Sequence, residues 1–282
     1  MSTTKSSLHI AVIGFALVTS FLTALANLVV ENMFGINIFS IGFWVILPAG
    51  ALIIGAAGAS GGLLACRYFH VKPNKLDALA LIAIAALTMW LIYYLGFITM
   101  VLDDGRKVAD YVSFSDYVDV VTTKSHMRVG RGAGTDTGEM GNFGYFKLAI
   151  EFVGVLLGGF VVFATLKSMA MCNVCNVYYK KIASKESALM NAIQADSVLG
   201  DLKSGDIDRY KTALAATYSD FSKDENKIKF KFTLMRCPKC KDEFIKEECY
   251  AVGSNGNAKE LSDFGGRTNL PKDSAFELEF KK

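Results

Sequence analysis

Residues 147–175 read KLAIEFVGVLLGGFVVFATLKSMAMCNVC, and the architecture turns on where that stretch divides. Positions 148–166 are apolar apart from Glu151, close to the ~20 residues a helix needs to cross ~30 Å of hydrocarbon. Cys172 and Cys175 follow almost at once, at the C-x2-C spacing that turns two sulfurs toward one point. No Gly/Ser-rich or Pro-rich linker separates the two parts.

Three more runs resemble the first. Residues 10–30, 42–65 and 78–101 carry no Lys, Arg, Asp or Glu, and each has membrane-spanning length. With 52% hydrophobic and 20% charged residues, the 282-residue chain is too apolar for an ordinary soluble domain. The first run has Lys5 before it and Ala24-Leu25-Ala26 near its end, as a signal peptide would, but it continues through Leu28, Val29 and Val30. A retained helix is therefore expected.

The 66–77 loop carries Arg67, Lys72 and Lys75, whereas the 31–41 loop has no basic residue. The bias of Lys and Arg toward cytoplasmic loops predicts both termini in the cytosol and the 102–146 loop outside, in a plasma or inner membrane. That long loop has five basic residues, diluted by seven acidic ones. Within it, Phe114, Tyr117, Val118 and Val121 recur at helical spacing behind Ser113, which predicts a capped amphipathic helix on the bundle's outer surface. The GRGAG at 130–134 follows no predicted strand and is not read as a phosphate loop.

Gly58 with Gly62 and Gly154 with Gly158 form two GxxxG spacings, which let helix backbones approach within a protomer or between copies in a homo-oligomer. Glu151 is the one carboxylate inside a run, and Lys147 falls on the same helical face four residues earlier. An interfacial Lys–Glu pair is the expected arrangement. A role in ion transport is the alternative, with Asn27 and Glu31 as companions.

The tail beyond residue 168 is nearly neutral, 19 Lys and Arg against 17 Asp and Glu. Ile182, Leu189, Ile193 and Leu199 suggest a helix over 178–200, and Tyr210, Leu214, Tyr218 and Phe221 a second one. The period then becomes two: Ile228, Phe230, Phe232 and Leu234 alternate with Lys227, Lys229, Lys231 and Thr233, a half-buried strand running into Cys237 and Cys240. Further strands are expected at 243–252 and in FELEF at 276–280.

Four of the six cysteines thus form C-x2-C twice, and Cys172, Cys175, Cys237 and Cys240 are the candidate ligands of one all-sulfur metal site. Two such knuckles beside a small sheet resemble the zinc-ribbon group of folds. The resemblance covers the knuckles and the strands at 227–252 and implies a structural Zn²⁺. An iron centre is the alternative, although Asn176 and Lys241 stand where glycine would be expected after each knuckle. The 61 residues between Cys175 and Cys237 exceed the usual 15–20, so a helical insertion over 178–222 is expected. Cys66 and Cys249 lack partners at metal spacing and read as buried apolar residues.

The expected fold class is therefore an α-helical integral membrane protein: four transmembrane helices over 1–168, then a small α+β cytosolic zinc-ribbon-like domain over 169–282. No catalytic motif is present, and His9, His70 and His126 lie far apart along the chain. The expected job is non-catalytic: the bundle anchors, oligomerises or senses in the lipid bilayer, and the zinc domain docks a cytosolic protein. The alternatives are a transport or channel component with a zinc-stabilised gate, and membrane-tethered nucleic-acid binding through Lys227, Lys229, Lys231, Arg236, Lys239 and Lys241. The near-neutral tail disfavours the last.

Overall fold

The computed structural model describes residues 3–41, 48–102, 104–129, 135–204, 208–209, 212, 227–253 and 257–270. The GRGAG segment, the helix expected to carry Tyr210 to Phe221 and the FELEF strand lie outside the described residues. The chain forms two compact units, Met1–Met169 and Ala170–Lys282.

The first unit is built on four long helices: α1 (Thr3–Phe34), α2 (Ala49–Phe69), α3 (Lys75–Thr99) and, further along, α5 (Phe143–Ser168). All four are long and apolar enough to cross a membrane. They also leave Ile10, Phe15, Leu22, Ile53, Val153 and Phe160 exposed on the outside of the bundle. A water-soluble bundle would bury such residues. An outer surface of this kind suits lipid.

α2 packs against α1, α3 and α5, and α3 also packs against α1 and α5. The most extensive contact is that of α2 with α5, and glycine permits it. A Cβ on Gly55 would lie 2.2 Å from the Val155 carbonyl oxygen, and one on Gly158 2.3 Å from that of Leu52. Gly58 abuts Thr88, Gly62 abuts Leu81 and Gly154 abuts Pro48. The four glycines of the two GxxxG spacings thus face neighbours in their own protomer, not the outer surface that a homo-oligomer through them would need.

Polar ties cross the bundle where the sequence offered little warning. Thr19 Oγ1 donates to the Gly58 carbonyl at 2.7 Å, and buried Ser20 and Thr88 share a hydrogen bond of 2.9 Å. At one end Asp77 completes a capping box with Asn74 at the start of α3. His9 Nδ1 lies 2.9 Å from both Asp77 oxygens, tying α1 to α3. Lys147 and Glu151 form the expected pair at 2.9 Å. Asn27 and Glu31 bond to Asn37.

In the long loop, α4 (Phe114–Thr123) forms as expected, with Ser113 and Asp116 closing a capping box. Phe114 packs edge-on against Trp90, Tyr94 and Phe97, which holds α4 to α3. Burial, and then the charge of Glu31, raises the Tyr117 phenol above its ordinary range. A short hairpin, β1 (His126–Val129) and β2 (Thr135–Glu139), follows; no sequence pattern announced it.

The second unit is an antiparallel sheet with a helix on one face. The strands are β3 (Lys180–Glu186), β4 (Lys227–Arg236), β5 (Glu243–Val252), β6 (Ala258–Glu260) and β7 (Gly266–Asn269). β4 lies between β3 and β5, while β6 and β7 share the far edge of β5. The expected helix over 178–200 is corrected here. Lys180–Glu186 is a strand, and the helix, α6 (Ala192–Ser204), starts only after Asn191 and Gln194 cap it reciprocally. Pairing along β4 outweighs the local helical spacing of Ile182 and Leu189. Ile193, expected on the apolar stripe, is 82% exposed; the buried stripe is Ala195, Val198 and Leu202. It packs on Phe230, Phe232 and Leu234 of β4 and on Ile245 and Cys249 of β5.

Gly158→Ala is expected to destabilise the bundle by about 1–3 kcal/mol, because its Cβ meets backbone that cannot rotate away. Gly14→Ala, where a Cβ meets nothing within 4 Å, serves as the control and is expected to stabilise by up to about 1 kcal/mol. Thermal unfolding in detergent followed by circular dichroism measures both; equal melting temperatures would show that the close approach is not required.

Candidate metal centre

Antiparallel pairing decides which cysteines meet. Lys180 lies opposite Arg236, so the chain leaving the first knuckle runs beside the chain entering the second. The wide sequence gap matters little: loop closure grows by roughly 0.6 kcal/mol per doubling, about 1 kcal/mol more for 61 residues than for 15.

The knuckles repeat one backbone design. In the first, Cys172 N donates to Val177 O at 2.9 Å and Asn176 N to Cys172 O at 2.9 Å. In the second, Cys237 N donates to Asp242 O at 2.8 Å and Lys241 N to Cys237 O at 3.1 Å. Asn176 and Lys241 adopt φ of 51° and 61°, the left-handed conformation for which glycine is the usual choice. The glycines missing from the sequence are thus replaced in kind: the backbone turns as it would with glycine. β4 and β5 flank the second knuckle as a hairpin, and a Met171–Tyr178 bridge flanks the first.

The ligand atoms of Cys172, Cys175, Cys237 and Cys240 all lie within 4.8 Å of one another, with Cys172 and Cys240 Sγ 3.6 Å apart. Tetrahedral Zn–S bonds of ~2.3 Å would place sulfurs about 3.8 Å apart. The donor set therefore fits a metal ion such as structural zinc, in a tail compatible with a zinc ribbon. Cys172 and Cys237 are buried, Cys175 is half-buried and Cys240 exposed, so each knuckle supplies one inner and one outer sulfur. Tyr179, Phe244 and Val177 pack around the inner pair.

Electrostatics point the same way. Burial pushes the Cys172 thiol up, but the backbone N–H groups of Cys175 and Val174 outweigh it and bring it down to about 7. For Cys240 the Asp242 N–H acts downward, yet desolvation and the three neighbouring thiols push it up to about 12. Near neutral pH the cluster thus ionises only in part, because four negative sulfurs repel at this distance. A bound divalent cation removes that repulsion and drives the remaining protons off.

The other two cysteines and His9 have surroundings of their own. Cys66 is buried in the bundle core and Cys249 under α6, as expected of small apolar residues. His9 pairs with Asp77. Of the expected basic face, Lys229 pairs with Glu186 at 2.5 Å, Lys231 lies 3.7 Å from Glu248, and Arg236 pairs with Glu243. The alternation of Lys227, Lys229 and Lys231 was legible; the acids opposite them belong to β3 and β5 and become neighbours only through the register.

Set against known protein families, curated proteins and solved structures, the chain matches none.

Two outcomes test the centre. Lys241→Gly is expected to stabilise the metal-loaded protein by up to ~1 kcal/mol by relieving left-handed strain, and Lys241→Val to cost about 1–2 kcal/mol, in thermal melts. Zinc binding at pH 7 is expected to release at least two protons, since the Cys175 and Cys240 thiols are held above their ordinary range beforehand. Zinc affinity therefore rises with pH, and falls more steeply once pH drops below about 7, where the Cys172 thiol also takes up a proton. Calorimetry in buffers of different ionisation enthalpy counts the protons, and a count near zero would contradict the ligand set.

Proposed function

We propose that this is a non-catalytic membrane protein whose bundle anchors it and whose cytosolic four-cysteine domain, folded around structural zinc, docks a protein partner. The convergence of four thiols on one point carries the proposal. Four sulfurs complete a tetrahedral shell and leave no open position for substrate, so the metal's contribution is to stability. Such sites supply about 10–16 kcal/mol of folding free energy, more than the net stability of most domains.

Three features support the rest of the reading. The basic residues Arg67 in the last turn of α2, Lys72 in the short α2–α3 connection and Lys75 at the start of α3 favour placing this end and both termini in the cytosol, where thiols stay reduced. Val174, 84% exposed at the tip of the first knuckle, presents an apolar contact beside the metal. The ion-paired lysines of β4 favour a protein partner over a phosphate backbone.

Purification of the full chain from its native host in mild detergent tests this. Metal analysis is expected to give one zinc per chain, with a cytosolic protein co-purifying. The paired Cys237→Ser, Cys240→Ser variant is expected to lose both the zinc and that protein while remaining in the membrane fraction. Retention of the co-purifying protein by the zinc-free variant would reject docking through the metal domain.

A further inference from the structure

The four-sulfur centre has an outer layer on the sheet face opposite α6. Tyr179 follows the first knuckle, Asp242 follows the second, and Arg267 lies on β7. The Tyr179 hydroxyl donates to Asp242 Oδ2, joining the two knuckles through side chains. Arg267 Nη2 lies 3.5 Å from the same hydroxyl oxygen. Its guanidinium sits 3.8 Å over the Phe244 ring and 5.3 Å from the Tyr179 ring, and those two rings meet edge to face. Tyr179 and Phe244 in turn pack directly on Cys172 and Cys237, and all four are buried.

Charge explains why a cation belongs there. Four thiolates around a divalent ion leave a dianion, and Asp242 adds a third negative charge beside it. The part of that charge carried by the buried Cys172 and Cys237 sulfurs is costly to keep there without a counter-ion. Among the described residues, Lys239 and Lys241 on the second knuckle make no side-chain bond to this network, whereas Arg267 lies above the aromatic pair that lines the inner sulfurs. Arginine suits the position because its planar, weakly hydrated guanidinium stacks on rings while keeping its charge.

We propose that Tyr179, Asp242 and Arg267 form the outer shell of the metal centre, with Arg267 the fixed counter-cation of the metal–tetrathiolate dianion and Tyr179 the link holding both knuckles in register. These are positioning residues; none is a ligand. The proposal rests on the four thiols binding a metal, as argued above. Outer-shell partners of this kind typically govern affinity by 10–100-fold.

The test uses the full-length protein in detergent, loaded with Zn²⁺ and challenged with a chromogenic chelator. Arg267→Met keeps the apolar contact with Phe244 and removes the charge; it is expected to release zinc roughly 10-fold faster or more. Tyr179→Phe removes one oxygen and should speed release similarly, which keeps the test decisive if Arg267→Met fails to fold. Arg267→Lys restores the charge and should recover most of the loss, while Lys239→Gln should release at the parent rate. In Co²⁺-loaded protein, Arg267→Met should move the thiolate-to-metal charge-transfer band to lower energy, and Arg267→Lys should not. Parent-like release by both Arg267→Met and Tyr179→Phe, with an unmoved cobalt band, would overturn the outer shell alone. A parent protein that takes up neither metal would overturn the metal site and this proposal together.

Discussion

The antiparallel pairing of β3 with β4 is the constraint on which the second unit depends. It sets Lys180 opposite Arg236 and so brings two short cysteine motifs, remote in sequence, to one end of a sheet. Neither knuckle is a site by itself, since two sulfurs do not complete a metal's shell. The same pairing aims Phe230, Phe232 and Leu234 at α6 and leaves Met235, opposite Phe244, beside the sulfurs. One strand therefore serves two cores, an aliphatic one under the helix and a cysteine-lined one on the reverse side.

The bundle is held by a different logic. Hydrophobic residues cover its outside as well as its inside, so burial of apolar surface does not choose one helix arrangement over another once the surroundings are hydrocarbon. Selection falls to shape and to a few polar contacts. Gly55 against Val155 and Gly158 against Leu52 let α2 and α5 touch backbone to backbone. The Ser20–Thr88, Thr19–Gly58 and His9–Asp77 contacts then fix how the helices are rotated about their axes.

Much of this was legible in the chain, and the parts that were not share a cause. Apolar length announced four helices, and alternation announced β4, because both signals are local. The cysteine spacing announced the candidate ligands for the same reason. The 180–186 strand was misread because Lys-Lys-Ile-Ala-Ser-Lys-Glu has no strand character of its own; the exposed ladder of β4 recruits it. His9 and Asp77 are 68 positions apart, and nothing near either residue points to the other. Tyr179 and Arg267 looked like unremarkable tail residues until the register of β5 with β7 set Arg267 near Phe244.

The chain leaves β3 after Glu186 and enters β4 at Lys227, both at the end of the sheet remote from the sulfurs, with Ser187 N on Phe230 O and Met190 bridged to Ile228. Entry and exit of this excursion are therefore neighbours, closed by their own backbone bonds. Its length is decoupled from the geometry of the knuckles. α6 itself is held in this excursion by the core it closes over β4 and β5, so added chain length is tolerated after Ser204, where it leaves both that core and the sulfur cluster undisturbed.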